Sequence, residues 1–353
     1  MSHRLVLAAV ATLALQFASP LPPGVTLAQR QILAMGTILR GSVEAHTRDA
    51  AEAALEAASF EIERWDRLLS TWDPSTPMSS ANRSPVGNPA PLPTSLTSVL
   101  AEAQAWSART NGSFDPVVGA LVDLWDLRGE GRIPEPDALS AALTSTGAAA
   151  VRIDGEASTM TRMTPDAWID TGAFGKGAAL RAAADTLRRR GVTRGFLDLG
   201  GQLLILGSDP DPVPVGVAHP IHRDRTSAAL RLGPGWSVAT SGNSERGITV
   251  GGARLGHLLD PKTGLPATDW GSVTVVSEDA MVADILSTAL YVMGPKAGLA
   301  WAEARDDVGA LFLVVTADGG LQTLSNQAMQ RWLAPPGSGA GAPTTSTPER
   351  RFP

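Results

Sequence analysis

The sequence of 353 residues contains no cysteine. Disulfide bonds, thiolate metal sites and a lipid-carrying N-terminal cysteine are therefore excluded, and any metal must be bound by oxygen or imidazole. Charges of both signs are interspersed and sum to a formal net charge of −6, so the chain has no basic stripe. This pattern argues against nucleic acid as a partner.

The first residues are typical of a secretory signal. His3 and Arg4 form a short cationic region, residues 5–17 form an uncharged apolar run, and small residues follow as far as Ala28. The apolar run is too short to span a bilayer comfortably, although an uncleaved N-terminal anchor is the alternative. We expect residues 1–28 to be the signal, and the folded part to work outside the cytoplasm, in the periplasm, without a lipid anchor.

Apolar residues make up 43% of the whole sequence, which is enough to fill a large core. From Pro335 onward the chain is rich in Gly, Pro, Ser and Thr, with little to bury. We therefore predict a folded domain over residues 29–334 and a disordered tail over 335–353.

Helical and strand patterns mix without regular alternation, which favours an α+β fold with mixed or antiparallel sheets and packed helices. The long helical patterns cover residues 48–69, 95–110, 178–190 and 280–293. The strand patterns at 31–45 and 195–206 each contain glycine. Gly36 predicts an irregularity within the first strand, and Gly200-Gly201 predict a bulge in the second or a close approach of its backbone to a ligand. Trp168 to Asp170 is expected to end a strand, and Thr240-Ser241-Gly242 to form a turn.

Asp284 and Thr288 stand four residues apart in an alanine- and leucine-rich helical segment, which places a carboxylate and a hydroxyl on one face. Two hard oxygens side by side suit Mg²⁺. On spacing alone, the commoner explanation is a helix charge and a hydroxyl bonded back to its own helix. We expect Asp284 to be a surface-accessible metal ligand, so that its replacement by alanine abolishes turnover and leaves the fold intact.

A glycine-rich segment, Thr171 to Gly177, leads into the helix that contains Ala178. A strand, a glycine-rich turn and a helix start allow backbone N–H groups and a lysine, here Lys176, to meet phosphate. The segment is not a Walker loop, because the required pattern fails at Asp170 and Gly177. A tight turn without a ligand is the alternative.

Eight short motifs between about residues 33 and 294 form an ordered series. They are Met35-Gly36-Thr37; Leu69-Ser70-Thr71-Trp72 with Ser79 and Asn82; Phe114-Asp115-Pro116-Val117-Val118-Gly119 with Leu124-Trp125; Asp170-x-Gly-x-x-Gly-Lys-Gly; Asp198-Leu199-Gly200-Gly201; Thr240-Ser241-Gly242; His257-x-x-Asp260-Pro261-x-Thr263-Gly264; and Ala283-Asp284-x-x-x-Thr288. In this order they resemble the ApbE family, the FAD:protein FMN transferases.

The resemblance implies an exported, Mg²⁺-dependent enzyme that splits the pyrophosphate of FAD, attaches FMN to a threonine hydroxyl of a target protein and releases AMP. It implies that Asp284, Thr288 and the backbone carbonyl of Ala173 bind the metal, and that Lys176 stabilises charge on the pyrophosphate. The positions that it assigns to FAD contact are Met35, Trp72, Phe114, Asp115, Pro116, Asp170, Lys176, Thr240, Ser241, Gly242 and Leu258.

Several positions depart from the family pattern or keep two explanations. Trp72 stands where tyrosine is usual, and Ala178 and Arg181 replace a common aromatic residue and a common aspartate. Trp72 and Phe114 supply flat surfaces for stacking on a ring, with core packing as the alternative, more so for Phe114. His257 has the intrinsic pKa of a general base, but a turn-stabilising or adenine-contacting role explains it equally well.

The same resemblance implies a partner protein with a segment similar to Ser-Gly-Ala-Thr, a membrane redox subunit, and hence work close to a membrane. Two other functions remain open at this point. One is an Mg²⁺-dependent FAD pyrophosphatase, which gives FMN and AMP with water as the acceptor. The other is a non-catalytic exported FAD-binding protein, which would be favoured if Asp284 or Thr288 pointed away from the phosphates.

Overall fold

The computed structural model describes residues 24–335 except 193, 208–210, 244–246 and 251. The predicted signal and tail therefore lie almost wholly outside the described residues. Thr26 is paired with Ala45 at the edge of a sheet, so the three residues that end the predicted signal belong to a strand here.

Most strands belong to one sheet of eight, in which every neighbouring pair is antiparallel. The strands of the described residues are β1 (Thr26–Ala34), β2 (Thr37–Ala45), β3 (Ala90–Pro91), β4 (Val151–Asp154), β5 (Thr159–Arg162), β6 (Arg194–Leu199), β7 (Gln202–Gly207), β8 (Val213–Ala218), β9 (Thr226–Leu232), β10 (Ser237–Gly242), β11 (Gly247–Val250), β12 (Ala253–Gly256), β13 (Gly271–Ser277), β14 (Gly309–Val315) and β15 (Leu321–Ser325). The large sheet has the order β1-β2-β6-β7-β10-β13-β14-β15, and the smaller sheets are β3-β5-β4, β8-β9 and β11-β12.

The helices of the same residues are α1 (Arg48–Leu69), α2 (Pro77–Asn82), α3 (Thr94–Arg109), α4 (Gly119–Leu124), α5 (Pro136–Thr144), α6 (Gly175–Arg189) and α7 (Ala280–Glu303), with short 3₁₀ turns at Ala148–Ala150 and Ala328–Arg331. α7 is interrupted at Gly294, directly after the predicted helical pattern over residues 280–293, and the φ of this glycine is 76°. None of the helices in the described ranges combines the length and apolarity needed to cross a bilayer.

α1 shows how the sequence produces this architecture. The side chain of Thr47 accepts a hydrogen bond from the N–H of Ala50 and so caps the helix. Ala51, Leu55 and Ile62 are buried at helical spacing, and they place one face of α1 on the sheet. The predicted helix over residues 48–69 is confirmed.

The large sheet has a core on each face. The main core lies between the sheet and the layer that contains α1, α6 and α7, and it includes Val273 and Val275 of β13. Val276, the next residue along β13, belongs to a second core on the opposite face, where β8 and β9 pack. Side chains alternate between the two faces of a strand, so a single β13 contributes to both cores. The predicted α+β architecture is thereby confirmed.

Two predicted strands are in fact hairpins. Residues 31–45 divide into the ends of β1 and β2 around Met35 and Gly36, whose φ values are 51° and 69°. Residues 195–206 divide into β6 and β7 around Gly200 and Gly201, with φ values of 60° and 89°. Two successive left-handed residues reverse the chain in a two-residue turn, whereas a bulge leaves its direction unchanged.

Two further local predictions are wrong. Residues 240–242 end strand β10 instead of forming a turn, because they pair with Ser272 to Thr274 of β13. Trp168 to Asp170 lie in an irregular segment and belong to no strand. That segment is held by hydrogen bonds to a loop and to a helix end: the Asp170 N–H donates to the Pro116 carbonyl, and the Ile169 N–H donates to the side chain of Asn82, the last residue of α2.

α6 and α7 approach most closely at their first turns. A Cβ atom added at Gly177, the third residue of α6, would stand 2.6 Å from the Cα of Met281 and would also collide with the carbonyl group of Ala280. These are backbone atoms of α7, so they cannot move aside as a flexible side chain could. Glycine at position 177 therefore sets the distance between the two helices.

We predict that Gly177→Ala destabilises the protein, although alanine normally favours a helix over glycine. Overpacking against backbone should cost about 1–3 kcal/mol, measured as a lower midpoint of thermal unfolding. Gly155→Ala is the matched control, because a Cβ atom there would meet nothing within 4 Å. Equal melting temperatures for the two variants would contradict this account of the contact.

Candidate functional site

The site is built where the first turns of α6 and α7 meet. Asp284 is the fifth residue of α7, and its side chain is only 7% exposed. One carboxylate oxygen accepts a hydrogen bond from the N–H of Gly177 at 3.0 Å, and the other lies 3.4 Å from Nζ of Lys176. A carboxylate of α7 thus caps the positive end of α6, and Lys176 provides its countercharge.

The remaining predicted metal ligands belong to the same junction. Thr288 follows Asp284 by one turn on the same face of α7 and is half-buried. Ala173 lies in the loop just before α6, half-buried against the main core. The donor set of one carboxylate, one hydroxyl and one backbone carbonyl is all oxygen, which is the chemistry that Mg²⁺ prefers.

The three predicted ligands include a single carboxylate, that of Asp284. Within the described ranges, no three or more acidic or histidine side chains form a group that could hold a metal ion. Magnesium sites that act on nucleotides commonly use one or two carboxylates, with phosphates and water as the other ligands. The donor set therefore fits a magnesium ion that is bound together with a nucleotide better than a closed metal cage.

On β10, the side chain of Ser241 faces this junction, whereas that of Thr240 faces away from it. The Ser241 hydroxyl lies 2.8 Å from that of Ser287, a residue of α7 between Asp284 and Thr288. The Thr240 hydroxyl instead lies 2.9 Å from that of Thr274 on β13. Because neighbouring strand residues face opposite ways, only one of the two predicted hydroxyls can face α7.

Gly242, the last residue of the strand, lies close to β13: a Cβ atom there would stand 3.1 Å from the Gly271 carbonyl oxygen.

The turn between β1 and β2 lies beside the start of α6. The N–H of Met35 donates to the carboxylate of Asp66 on α1 at 2.8 Å. A Cβ atom added at Gly175, the first residue of α6, would stand 3.4 Å from Cε of Met35. The left-handed turn thus directs the methionine side chain to the glycine-rich segment.

A second group of side chains surrounds Asp170. Arg128 donates to the Asp170 carboxylate at 2.7 Å, and the same carboxylate accepts from the N–H of Gly172 at 2.8 Å. The guanidinium of Arg128 lies over Trp72 and Trp168, with its central carbon 4.5 Å and 4.6 Å from the two ring centroids. Trp72 is 70% exposed. Its ring is therefore available at the surface, as stacking on a ligand requires.

The segment Phe114 to Pro116 is joined to Asp170, because the Pro116 carbonyl accepts a hydrogen bond from the Asp170 N–H. Phe114 is 1% exposed and packs edge-on against Phe174, as the core-packing explanation expects. Asp115 accepts hydrogen bonds from the Ser107 hydroxyl and the Val117 N–H, and burial raises the pKa of its carboxyl group. Contact of these three residues with FAD stays a prediction.

His257 and Leu258 lie in the bend that follows β12, and both are half-buried. Leu258 packs against the main core, and its carbonyl accepts from the N–H of Ala267 at 2.8 Å. The turn after them reaches the Phe114 segment, because Nζ of Lys262 lies 3.3 Å from the Ser113 hydroxyl. The roles of His257 and Leu258 stay predictions.

Sequence reasoning missed Arg128 and Trp168. Arg128 stands in none of the eight motifs, and Trp168 is predicted only as part of a strand end. An isolated charged residue in an irregular segment has no periodic pattern that could reveal its partners. Only the folded chain shows that two tryptophans 96 positions apart contact the same guanidinium.

A comparison with protein families settles the relationship that the motifs suggested. The model of the ApbE family matches residues 35–312, which include every described element of the site. The chain belongs to the ApbE family. The family and the enzyme class predicted from the sequence are thereby confirmed.

Two relatives illustrate how similar this chain is to named enzymes. The FAD:protein FMN transferase of Vibrio cholerae is 32% identical over 266 residues, which cover 73% of this chain and 78% of that protein. The FAD:protein FMN transferase of Escherichia coli K12 is 26% identical over 312 residues, with 85% of each covered.

Solved ApbE structures share the fold. The ApbE protein of Thermotoga maritima superposes with a TM-score of 0.77 at 29% identity, over 87% of this chain and 99% of that one. The flavin transferase ApbE of Vibrio cholerae gives a TM-score of 0.76 at 26% identity, over 88% and 100%.

The burial of Asp284 corrects one expectation drawn from the sequence. Asp284 is not surface-accessible, and it provides a hydrogen-bond acceptor to the start of α6. Removal of this carboxylate leaves a buried N–H group without its partner, which costs free energy in addition to any loss of metal.

We therefore predict that Asp284→Ala lowers the free energy of unfolding by about 1–3 kcal/mol. Asp284→Asn should lose clearly less, because the amide oxygen can still accept from the Gly177 N–H. Asp185→Ala, a half-exposed position of α6, is the control and should change little. Denaturant unfolding measures all three, and an alanine variant as stable as the unchanged protein would show that the cap is energetically irrelevant.

Proposed function

We propose that this chain is an Mg²⁺-dependent FAD:protein FMN transferase that transfers FMN from FAD to a threonine hydroxyl of a target protein and releases AMP. The observation that carries the proposal is the junction of α6 and α7, where Lys176 and the buried Asp284 meet beside Thr288. Membership of the ApbE family supports the same reaction.

In the proposed reaction the threonine oxygen forms a bond to the FMN phosphorus. The bond from that phosphorus to the bridging oxygen breaks, AMP leaves with the electron pair, and the hydroxyl proton passes to a base. Such a transfer depends on charge neutralisation and alignment more than on covalent help from the protein. Lys176 and the first turn of α6 supply fixed positive charge for the pyrophosphate.

Asp284, Thr288 and the carbonyl of Ala173 would hold Mg²⁺. When bound, the ion would neutralise charge on the pyrophosphate oxygens. Lys176 is 31% exposed at its side chain, so the ammonium group keeps access to a ligand while it pairs with Asp284.

The remaining contacts with FAD are assigned by position. Trp72 offers an exposed ring for stacking, and Met35, Ser241 and Leu258 lie on elements that reach the main core around α6 and α7. His257 is the candidate general base, because imidazole titrates near neutral pH. A turn-stabilising or adenine-contacting role is the alternative for this histidine.

The target is proposed to be an exported membrane redox subunit with a segment similar to Ser-Gly-Ala-Thr. Export of the enzyme, as the first 28 residues predict, would place both proteins in the same compartment. Detection of the enzyme in a periplasmic fraction would support this location.

The proposed function is tested by incubating the protein with FAD, Mg²⁺ and a target that carries this threonine segment. Mass spectrometry should show the target heavier by one FMN, and chromatography should show one AMP released for each FMN attached. FMN and AMP that appear free beside an unmodified target would indicate a pyrophosphatase. FAD that stays bound and unchanged would indicate a binding protein.

We predict that Asp284→Asn lowers the rate of AMP release at least about 100-fold, because it removes the only carboxylate of the donor set. Asp185→Asn on the outer side of α6 is the matched control and should keep the unchanged rate. A chelator of divalent metals should reproduce the effect in the unchanged protein. Retention of full activity by Asp284→Asn would exclude the metal assignment.

A further inference from the structure

Trp72, Arg128 and Trp168 form a stack at the edge of the candidate site. The guanidinium of Arg128 lies over both indole rings, with its central carbon 4.5 Å and 4.6 Å from their centroids. A guanidinium is planar and weakly hydrated, so it stacks on aromatic faces better than an ammonium does. The three residues come from three separate irregular segments, and this contact holds those segments together.

Hydrogen bonds fix the guanidinium in this place. It donates to the carbonyl and to the hydroxyl of Thr71 at 3.1 Å and 2.7 Å, and to the Asp170 carboxylate at 2.7 Å. The positive charge is therefore compensated inside the protein, and the planar group is tied to the residue that precedes Trp72. The ion pair of Lys176 with Asp284 is longer, at 3.4 Å.

The inner end of the stack is rigid. Trp168 lies so close to Gly119 that a Cβ atom there would collide with the indole ring. The indole N–H of Trp168 also donates to the Asp123 carboxylate at 2.8 Å. Because Trp168 is held in place, its contact with Arg128 restricts the position of the guanidinium, and the guanidinium in turn restricts the position of the exposed Trp72 ring.

We propose that Arg128 is a positioning residue that holds the indole of Trp72 as a plane on which a heteroaromatic ring of the substrate stacks. The inference rests on the proposed function, since it takes FAD as the substrate. One face of Trp72 is covered by Arg128, and an exposure of 70% leaves the other face open. A ring that is already ordered before binding loses less conformational entropy when the ligand arrives.

The test measures the dissociation constant of FAD by flavin fluorescence for the unchanged protein, Arg128→Ala, Arg128→Lys and Trp72→Ala. Arg128→Ala should weaken binding about 5- to 10-fold, and lysine should restore little, because it lacks the planar fork. The turnover rate at saturating FAD should stay within about twofold, because the lost interaction serves binding and not the transition state.

A double-mutant cycle separates positioning from a general structural role. In the Trp72→Ala background, Arg128→Ala should weaken FAD binding by less than about twofold more, because the ring that it positions is gone. Arg109→Ala is the matched control. Arg109 is exposed and lies over one tryptophan, Trp106, 4.8 Å from its ring centroid, and its replacement should leave FAD binding unchanged. If thermal melting shows that Arg128→Ala is unstable, the FAD affinity of Arg128→Lys, measured on a variant with an unchanged melting temperature, tests the inference alone.

FAD contains two heteroaromatic rings, and competition by AMP and by FMN distinguishes them. Weaker binding of AMP alone in Arg128→Ala identifies adenine as the stacked ring, and weaker binding of FMN alone identifies the isoalloxazine. The inference is overturned if the Arg128 variants bind FAD like the unchanged protein, or if the effect persists fully without Trp72. Failure of the unchanged protein to bind FAD would instead overturn the proposed function, and this inference with it.

Discussion

The hydrogen bond from the Gly177 N–H to the Asp284 carboxylate joins the starts of two helices, and the candidate site depends on it. The bond can form only because residue 177 has no side chain, which lets the backbone of α6 contact the backbone of α7. Burial of the carboxylate is tolerated because a helix N-terminus and Lys176 surround it with positive charge. One contact thus packs the helices and sets the electrostatics of the site.

Around this junction, irregular segments and turns are positioned by hydrogen bonds outside the strand pairing. Asp170 connects Arg128 with the glycine-rich segment, and the Pro116 carbonyl fixes the backbone of Asp170. Asp66 orients the turn at Met35 in the same way. The elements of the large sheet supply the frame, while buried or half-buried polar groups decide where the loops lie on it.

Most of the long elements could be predicted from local pattern. α1 was predicted with its exact bounds and α3 to within one residue, because their apolar residues recur at helical spacing and polar or glycine residues end them. The hairpins at Met35-Gly36 and Gly200-Gly201 were missed, since glycine in a strand pattern is equally compatible with a bulge. Strand β10 was mistaken for a turn because Ser and Gly are common in turns, whereas its pairing with β13 is a distant contact.

By itself, the sequence determined the family and the α+β class, because motifs and helical spacing are local properties of the chain. Only the tertiary structure decided that Asp284 is buried and caps α6, that Thr240 and Ser241 face opposite ways, and that Phe114 lies in the core. It alone placed Arg128 over two tryptophans. The physical reason is that burial, facing and charge compensation arise between residues far apart in the chain, so no local pattern records them.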